Sequence, residues 1–316
     1  MNIHYAHGIT AVDTHYVRPE LDAAYLVVNA GKAVIIDTGA ARAAPDILGA
    51  LQAQGVGAGD VEALLLTHVH LDHAGGTGQL MRALPNARLI VHPRGAPHAV
   101  DPAKLIAGTI AVYGAEKFRE LYGELLPVAA ERVYVTTDGE RLHLAGRTIE
   151  CVFTPGHALH HQAFCDLDSG GIFSGDTFGI SYREFDCDGR AFIVPTTTPT
   201  QFDPQQLKAS IDRLVARRPS AIYLTHYGAV TEIESLAAAL KQQIAAFVDI
   251  ATRQAPLRTD ESQCVAGMRA EMRDLWIALA ERHGTPHASA RVDNLLGNDL
   301  DLNSAGLYSW LQRQAH

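Results

Sequence analysis

The ten residues that follow the apolar run 61–66 constrain the fold of this chain more than any other feature. They read Thr-His-Val-His-Leu-Asp-His-Ala-Gly-Gly over residues 67–76, so four side chains that can ligate a metal occupy six positions. Alternate residues of an extended segment share a face, which directs His68 and His70 to one point, and the following turn directs Asp72 and His73 to a second. A single histidine is usually a core or surface side chain. Four candidate ligands at the end of a strand instead predict a metal site with room for two ions.

Short β-branched runs alternate with helical patterns in the first half of the chain, which predicts a layered α/β fold. Residues 132–195 then change to short strands and turns, and the pair Asp203-Pro204 is typical of a helix start. After residue 230 only helical spacing continues, so we predict a catalytic domain over residues 1–230 and a helical C-terminal extension over residues 231–316. The predicted strands before the extension are 25–29, 33–37, 61–66, 88–92, 132–136, 141–144, 148–153, 162–166, 171–174 and 221–224, and the predicted helices are 44–54, 77–84, 103–126 and 203–217.

Further short motifs follow the other predicted strands and contain the same kinds of side chain. They are Asp37-Thr38-Gly39, Thr154-Pro155-Gly156-His157, Ser174-Gly175-Asp176-Thr177 and Thr225-His226. Together with the H-x-H-x-D-H pattern of residues 68–73, this order resembles the metallo-β-lactamase superfamily over about residues 20–230. The resemblance implies an α/β fold, a four-layer αββα sandwich, here with a helical C-terminal extension.

The resemblance also implies a ligand set and a nucleophile. The site would hold two divalent metal ions, and zinc is expected first. Iron and manganese are alternatives, because imidazole and carboxylate donors do not by themselves select among these metals. A hydroxide that bridges the metals would attack the substrate, and Asp72 would orient it or pass on its proton. The implied ligands are His68, His70 and His157 for the first metal, Asp72, His73 and His226 for the second, and Asp176 as the bridge.

Other residues near these motifs have two interpretations each. Tyr182 is a candidate catalytic residue that would donate to a substrate carbonyl or oxyanion. Arg183 would bind a substrate carboxylate or phosphate, or else form a solvated pair with its neighbour Glu184. Asp37 would support the metal-binding loop or serve as an ordinary turn residue. The adjacent histidines at 160 and 161 would line the pocket or face solvent, and we expect them to face solvent.

Within the superfamily, glyoxalase II-like thioesterases and acyl-homoserine-lactone-type lactonases resemble this chain most in their seven ligands. We therefore expect a dinuclear metal-dependent hydrolase that cleaves an ester, thioester or lactone of a small molecule. Two alternatives remain open. One is a non-haem iron redox enzyme, either persulfide dioxygenase-like or diiron, and the other is a binding protein without catalytic activity.

Charge and cysteine usage limit the partners and the compartment. The 26 Lys and Arg residues against 35 Asp and Glu residues leave a net charge of -9, which argues against nucleic acid and against an anionic membrane. Four cysteines without a C-x-x-C pair are typical of a reducing compartment, and the N-terminus lacks the pattern of an export signal. We expect a cytoplasmic protein with a small-molecule substrate, and a homodimer as the candidate assembly.

Overall fold

The strand that precedes the ligand-rich segment belongs to a seven-stranded mixed sheet whose strands lie side by side in chain order. The computed structural model describes residues 2–197 and 201–314, apart from the side chains of residues 112 and 113. The first four strands are antiparallel neighbours and the last four are parallel. The strands are β1 (Ile3–His4), β2 (Ile9–Asp13), β3 (Ala23–Asn29), β4 (Lys32–Ile36), β5 (Val61–Leu65), β6 (Arg88–Val91) and β7 (Val133–Val135).

A hairpin joins β3 and β4, which correspond to the predicted strands 25–29 and 33–37, and Asn29 pairs with Lys32. Ala30 and Gly31 between them have φ angles of 48° and 78°. Two consecutive residues with positive φ match the right-handed twist of the strands in a two-residue turn, which explains the tight connection.

A second mixed sheet has six strands in the order β13-β12-β11-β10-β9-β8. Strands β8 to β11 pair antiparallel, and β11 pairs parallel with β12. Its strands are β8 (Arg141–Leu144), β9 (Arg147–Phe153), β10 (Gln162–Asp166), β11 (Gly171–Gly175), β12 (Ala221–Leu224) and β13 (Gly228–Val230).

The two sheets share an aromatic core. Tyr25 of β3, Phe164 of β10 and Phe173 of β11 are at most 1 % exposed. The Phe173 ring stacks on that of Tyr223 at 4.9 Å between centroids. Each such side chain contributes about 1.5–3 kcal/mol by leaving water, so this core holds the sheets, and hence the strand ends, in fixed positions.

Helices between the strands cover the other face of the seven-stranded sheet. Ile47 and Leu80, from two of these helices, are fully buried in one core cluster with Leu64 of β5. The helices are α1 (Ala44–Ala53), α2 (Leu71–Ala74), α3 (Thr77–Ala83), α4 (Ala96–Val100), α5 (Ala103–Tyr113) and α6 (Ala115–Tyr122). The single helix predicted over 103–126 is wrong: Gly114, at φ 80°, separates α5 from α6, and Gly123, at φ 73°, ends the second.

The C-terminal part is helical, as the spacing of its apolar residues predicts. Asp203 caps the first of these helices by accepting from the backbone N–H groups of Gln205 and Gln206, and Gly284, in the left-handed conformation, ends the third. The helices are α7 (Pro204–Val215), α8 (Ile233–Gln254), α9 (Glu261–His283), α10 (Ala288–Leu295) and α11 (Gly297–Arg313).

The chain divides into two compact units. The first comprises Met1–Phe153, His160–Gly175 and Ser220–Ala229, and the second comprises Thr154–Leu159, Asp176–Pro219 and Val230–His316. The predicted domain boundary at residue 230 follows secondary structure instead, and it stays a prediction. Within the described ranges, no helix combines the length and the apolar character needed to cross a membrane. The cytoplasmic location also stays a prediction.

Candidate metal centre

The H-x-H-x-D-H segment begins where β5 ends, as the sequence predicts. His68 is fully buried and His70 partly so. Nε2 of His68 lies 2.8 Å from Nδ1 of His70, so both nitrogens face one point. Nδ1 of His68 lies 3.2 Å from the Thr67 hydroxyl. That hydroxyl donates its proton to Asp37, so it can only accept from His68, and Nε2 of His68 keeps a lone pair for a metal.

A second group of ligand atoms lies in the same unit. Asp72 and His73 belong to α2, and His226 follows β12. The Asp72 carboxylate lies 3.8 Å from Nε2 of His73 and 3.6 Å from Nε2 of His226. One ligand atom from each of the three residues lies within 4.8 Å of the other two, so this group could hold a metal ion.

The buried carboxylate of Asp37 supports this second group. Its Oδ1 accepts from the Thr67 backbone N–H at 2.8 Å, and its Oδ2 accepts from the hydroxyls of Thr67 and Thr225 at 2.8 and 3.2 Å. Nδ1 of His73 lies 2.9 Å from the same Oδ2, which fixes the proton on Nδ1 and leaves Nε2 to a metal. The loop-supporting interpretation of Asp37 is therefore confirmed.

His226 is oriented by a backbone carbonyl rather than by a side chain. Its Nδ1 lies 2.9 Å from the Leu21 carbonyl oxygen, which only accepts, so Nε2 again faces Asp72 with its lone pair.

Asp22, the residue after Leu21, is fully buried and accepts from the Thr14 hydroxyl at 2.5 Å. The pKa of Asp22 is raised to about 7, because burial outweighs the lowering by the neighbouring His226 and His73. No sequence motif marks Asp22 as part of this site.

The second unit contributes its own pair of candidate ligands. Nε2 of His157 lies 3.3 Å from Oδ2 of Asp176, and both side chains are buried. Nδ1 of His157 lies 3.3 Å from the Thr196 carbonyl oxygen, so the proton is again on Nδ1. Gly156 precedes this histidine at φ 130°, and a Cβ there would lie 2.2 Å from the Leu207 nitrogen at the start of α7. Glycine is therefore required where the chain presents His157.

The donor chemistry fits divalent metal ions. Zinc bonds of 2.0–2.1 Å in a tetrahedron place neighbouring ligand atoms about 3.3 Å apart. The contacts of 2.8 Å between His68 and His70, 3.3 Å between His157 and Asp176, and 3.6 Å between His226 and Asp72 bracket this separation. In four of these histidines the Nδ1 contact leaves Nε2 as the metal-facing atom, which is the usual arrangement of metal-binding histidines. They are His68, His73, His157 and His226.

Other residues singled out in the sequence lie differently from what was expected. The histidines at 160 and 161 are 8 % and 0 % exposed, so the expectation that they face solvent is wrong. The His161 ring stacks on His68 at 4.8 Å between centroids, and Nδ1 of His160 accepts weakly from the Val69 N–H at 3.5 Å. Both side chains therefore pack against the H-x-H-x-D-H segment.

Tyr182 and Arg183 both have partners within the second unit. Tyr182 is 3 % exposed, and its hydroxyl donates to the Asp299 carboxylate of α11 at 3.3 Å. The Arg183 guanidinium donates to the Ser181 carbonyl at 2.7 Å and lies 3.3 Å from the Asp186 carboxylate. A role in substrate binding stays a prediction for both residues.

Comparison with known proteins identifies the family. The sequence model of the metallo-beta-lactamase superfamily matches residues 18–226, about two thirds of the chain. The chain belongs to the metallo-β-lactamase superfamily. The match includes all seven candidate ligands and ends at His226.

Two curated relatives cover part of this superfamily member. A hydroxyacylglutathione hydrolase of Xanthomonas axonopodis pv. citri is 33% identical over 187 residues, which is 59% of this chain and 54% of the relative. An atrochrysone carboxyl ACP thioesterase of Aspergillus fumigatus is 29% identical over 154 residues, 48% of this chain and 38% of the relative. The chain thus spans about half the length of the first relative and less of the second.

The fold is shared with a solved member of the superfamily. A metallo-beta-lactamase family protein from Thermus thermophilus superposes with a TM-score of 0.64 at 20% identity, covering 98% of this chain and 94% of that one. The predicted fold class is confirmed: the chain has the metallo-β-lactamase fold, with two mixed sheets and a helical C-terminal region.

Proposed function

We propose that the protein is a metal-dependent hydrolase that cleaves an ester, thioester or lactone of a small molecule. The observation that carries this proposal is the set of buried histidines whose Nδ1 contacts leave Nε2 facing a neighbouring carboxylate. Both relatives support the acyl chemistry, because one is named for hydrolysis of a hydroxyacylglutathione and the other for cleavage of an ACP thioester. Activity against nucleic acid is not proposed, since the net charge of -9 opposes a phosphate backbone.

The proposed cofactors are two divalent metal ions, with zinc first. In this proposal His68, His70 and His157 would hold one ion, Asp72, His73 and His226 would hold the other, and Asp176 would serve both. Bound ions of this kind supply Lewis acidity, which activates water at neutral pH and polarises a carbonyl group. Aspartate suits the bridging position because its two oxygens can face two ions at once.

The chain's own residues have distinct tasks in the proposed reaction. Asp72 is partly exposed, so its carboxylate can reach a substrate and take or return a proton there. Asp37 fixes the proton on Nδ1 of His73, and the Leu21 carbonyl does the same for His226. Tyr182 is proposed to donate to the oxygen that becomes negative as the acyl carbon is attacked.

The first experiment measures metal per chain in untagged protein purified without chelator, together with hydrolysis of a panel of thioesters, esters and lactones. We expect about two zinc ions per chain and turnover of at least one acyl class. Substantial iron with oxygen-dependent turnover would instead support the redox alternative. Protein without metal or turnover would support the binding-protein alternative, and each result would replace the hydrolase proposal.

A variant pair tests the bridging assignment. Asp176→Ala is expected to lose binding of the second equivalent of metal and to lose hydrolysis with it, because the carboxylate shared by both ions is gone. Asp274→Ala removes a helical carboxylate that is 79% exposed and serves as the control that keeps both. If Asp176→Ala binds two ions and turns over at the wild-type rate, the bridging role is wrong.

A further inference from the structure

A chain of hydrogen bonds within the second unit leads from His157 to the C-terminal helix α11. The backbone carbonyl of Thr196 orients His157, and the next residue, Thr197, is held by Asn303 of α11. Thr197 donates its backbone N–H to Oδ1 of Asn303 at 2.8 Å and its hydroxyl proton to the Asn303 carbonyl oxygen at 3.2 Å. The carbonyl oxygen that faces Nδ1 of His157 belongs to Thr196, on the other side of the same peptide bond. One rigid peptide unit therefore connects Asn303 with His157.

The buried amide of Asn303 has a defined orientation. Asn303 is fully buried, and its Nδ2 donates to the Asp299 carbonyl oxygen at 2.7 Å while its Oδ1 accepts from Thr197. If the amide were turned over, its NH₂ group would face the Thr197 N–H, a second donor, and its oxygen would face the Asp299 carbonyl oxygen, a second acceptor. Only the observed orientation therefore satisfies both ends. Asparagine is a weak helix former, and a buried amide is costly unless it is hydrogen-bonded. Helix formation alone therefore does not account for asparagine at this position.

We propose that Asn303 is a positioning residue for the metal site, acting on His157 through the peptide unit between Thr196 and Thr197. With the amide in place, the Thr196 carbonyl is held towards Nδ1 of His157, and Nε2 is directed at Asp176, 3.3 Å away. The inference rests on the proposed function, because it requires His157 to be a metal ligand. It gives the helical C-terminal region a part in metal binding, although the candidate ligands themselves all precede residue 230.

The test measures stepwise Zn²⁺ affinities of the full chain, stripped of metal and titrated in competition with a chromophoric chelator. Asn303→Leu keeps the branched skeleton with the same number of side-chain heavy atoms and lacks both polar contacts. Partners of ligating histidines typically contribute about 10–100-fold in affinity, and we expect the lower end, about tenfold, because Asn303 acts through a peptide unit. One of the two binding steps should weaken and the other should keep its wild-type constant. Asn303→Asp keeps an oxygen facing the Thr197 N–H but opposes the Asp299 carbonyl oxygen, so it should recover only part of the loss.

Two controls in the same helix separate positioning from general destabilisation. Ser304→Ala removes a buried hydroxyl that donates to Asp301 at 3.0 Å, and Leu307→Ala opens a cavity at a fully buried position. Both should lower the melting temperature of the metal-free protein and leave both Zn²⁺ constants unchanged. In the Co²⁺-substituted protein, Asn303→Leu should shift the visible d–d absorption, whereas the control variants should retain the wild-type spectrum.

The outcomes distinguish this inference from the proposed function beneath it. His157→Ala should lose one binding step. If it keeps both, the ligand assignment is wrong and the role of Asn303 falls with it. If His157→Ala loses one step while Asn303→Leu keeps both constants and the wild-type Co²⁺ spectrum, only the positioning role is overturned. Should Asn303→Leu not fold, Asn303→Ser, which is too short to reach Thr197, replaces it under the same criteria.

Discussion

The substitution Asp37→Asn tests how strongly one buried carboxylate controls the proposed second metal site. Asp37 has φ 55°, a left-handed conformation that asparagine tolerates and alanine does not, so Asn changes the hydrogen-bonding chemistry without adding backbone strain. The amide also matches the carboxylate in shape. Any effect should therefore come from replacing one acceptor oxygen by an NH₂ donor.

Both orientations of that amide have a cost. If its NH₂ replaces Oδ1, the buried Thr67 N–H loses its acceptor, which costs about 1–3 kcal/mol of stability. If its NH₂ replaces Oδ2, the hydroxyls of Thr67 and Thr225 can rotate, but His73 must accept at Nδ1 and move its proton to Nε2. Metal binding at Nε2 of His73 then requires the proton to return from Nε2 to Nδ1. We expect an affinity loss of about 10–100-fold, or about 1.4–2.7 kcal/mol.

The assay combines the melting temperature of the metal-free protein with stepwise Zn²⁺ constants. Thr225→Val is the matched control, because it removes one donor to the same Oδ2 and leaves the His73 tautomer unchanged. Asp37→Asn should weaken one Zn²⁺ step by at least tenfold more than this control does. If the two variants show equal Zn²⁺ constants, the contact between Asp37 and His73 does not set the metal-binding tautomer and the reasoning is refuted.

Three further substitutions test other parts of the structure. Gly156→Ala would place a Cβ 2.2 Å from the Leu207 nitrogen at φ 130°, so urea denaturation should show a loss of about 2–6 kcal/mol; Gly49→Ala, which meets nothing within 4 Å, should show no loss. Burial lowers the pKa of His92 from 6.5 to about 4, so the unfolded chain binds the extra proton and stability falls as the pH drops from 6.5 to 4. His92→Asn should abolish up to about 3 kcal/mol of that fall, and parallel curves of melting temperature against pH would contradict the assignment. Tyr182→Phe should keep the wild-type metal content and lower kcat by about 10²-fold, whereas an unchanged kcat would leave its hydroxyl a structural role only.

The candidate ligands could be predicted because their spacing is local. In the H-x-H-x-D-H segment, alternation along an extended chain and one following turn suffice to aim the side chains, and both are set by neighbouring residues. Asp37, His157, Asp176 and His226 were found by the motifs that follow their strands. Their contacts with partners distant in the chain, such as Asp37 with Thr225, depend on the sheets and have no local signature.

Features that depend on packing between distant segments have no clear signal in the sequence. Strand β2 was not predicted, because all five of its residues are buried and it lacks the alternation that marks a strand with one exposed face. The break between α5 and α6 at Gly114 was not predicted, because the apolar spacing continues across it and does not encode a φ of 80°. The histidines at 160 and 161 are polar by type, and only the fold reveals that they are buried against the metal-binding segment.

Backbone carbonyls orient two of the candidate ligands, and this limits what any motif can reveal. The oxygens that face Nδ1 of His226 and His157 belong to Leu21 and Thr196, whose side chains do not take part. A substitution at either position can therefore leave the contact intact, whereas a change in the side chain that holds the carbonyl can disturb it. Asn303 is the side chain that holds the Thr196 segment. Two superfamily members with identical ligands can thus differ in metal affinity through a helix that contains none of them.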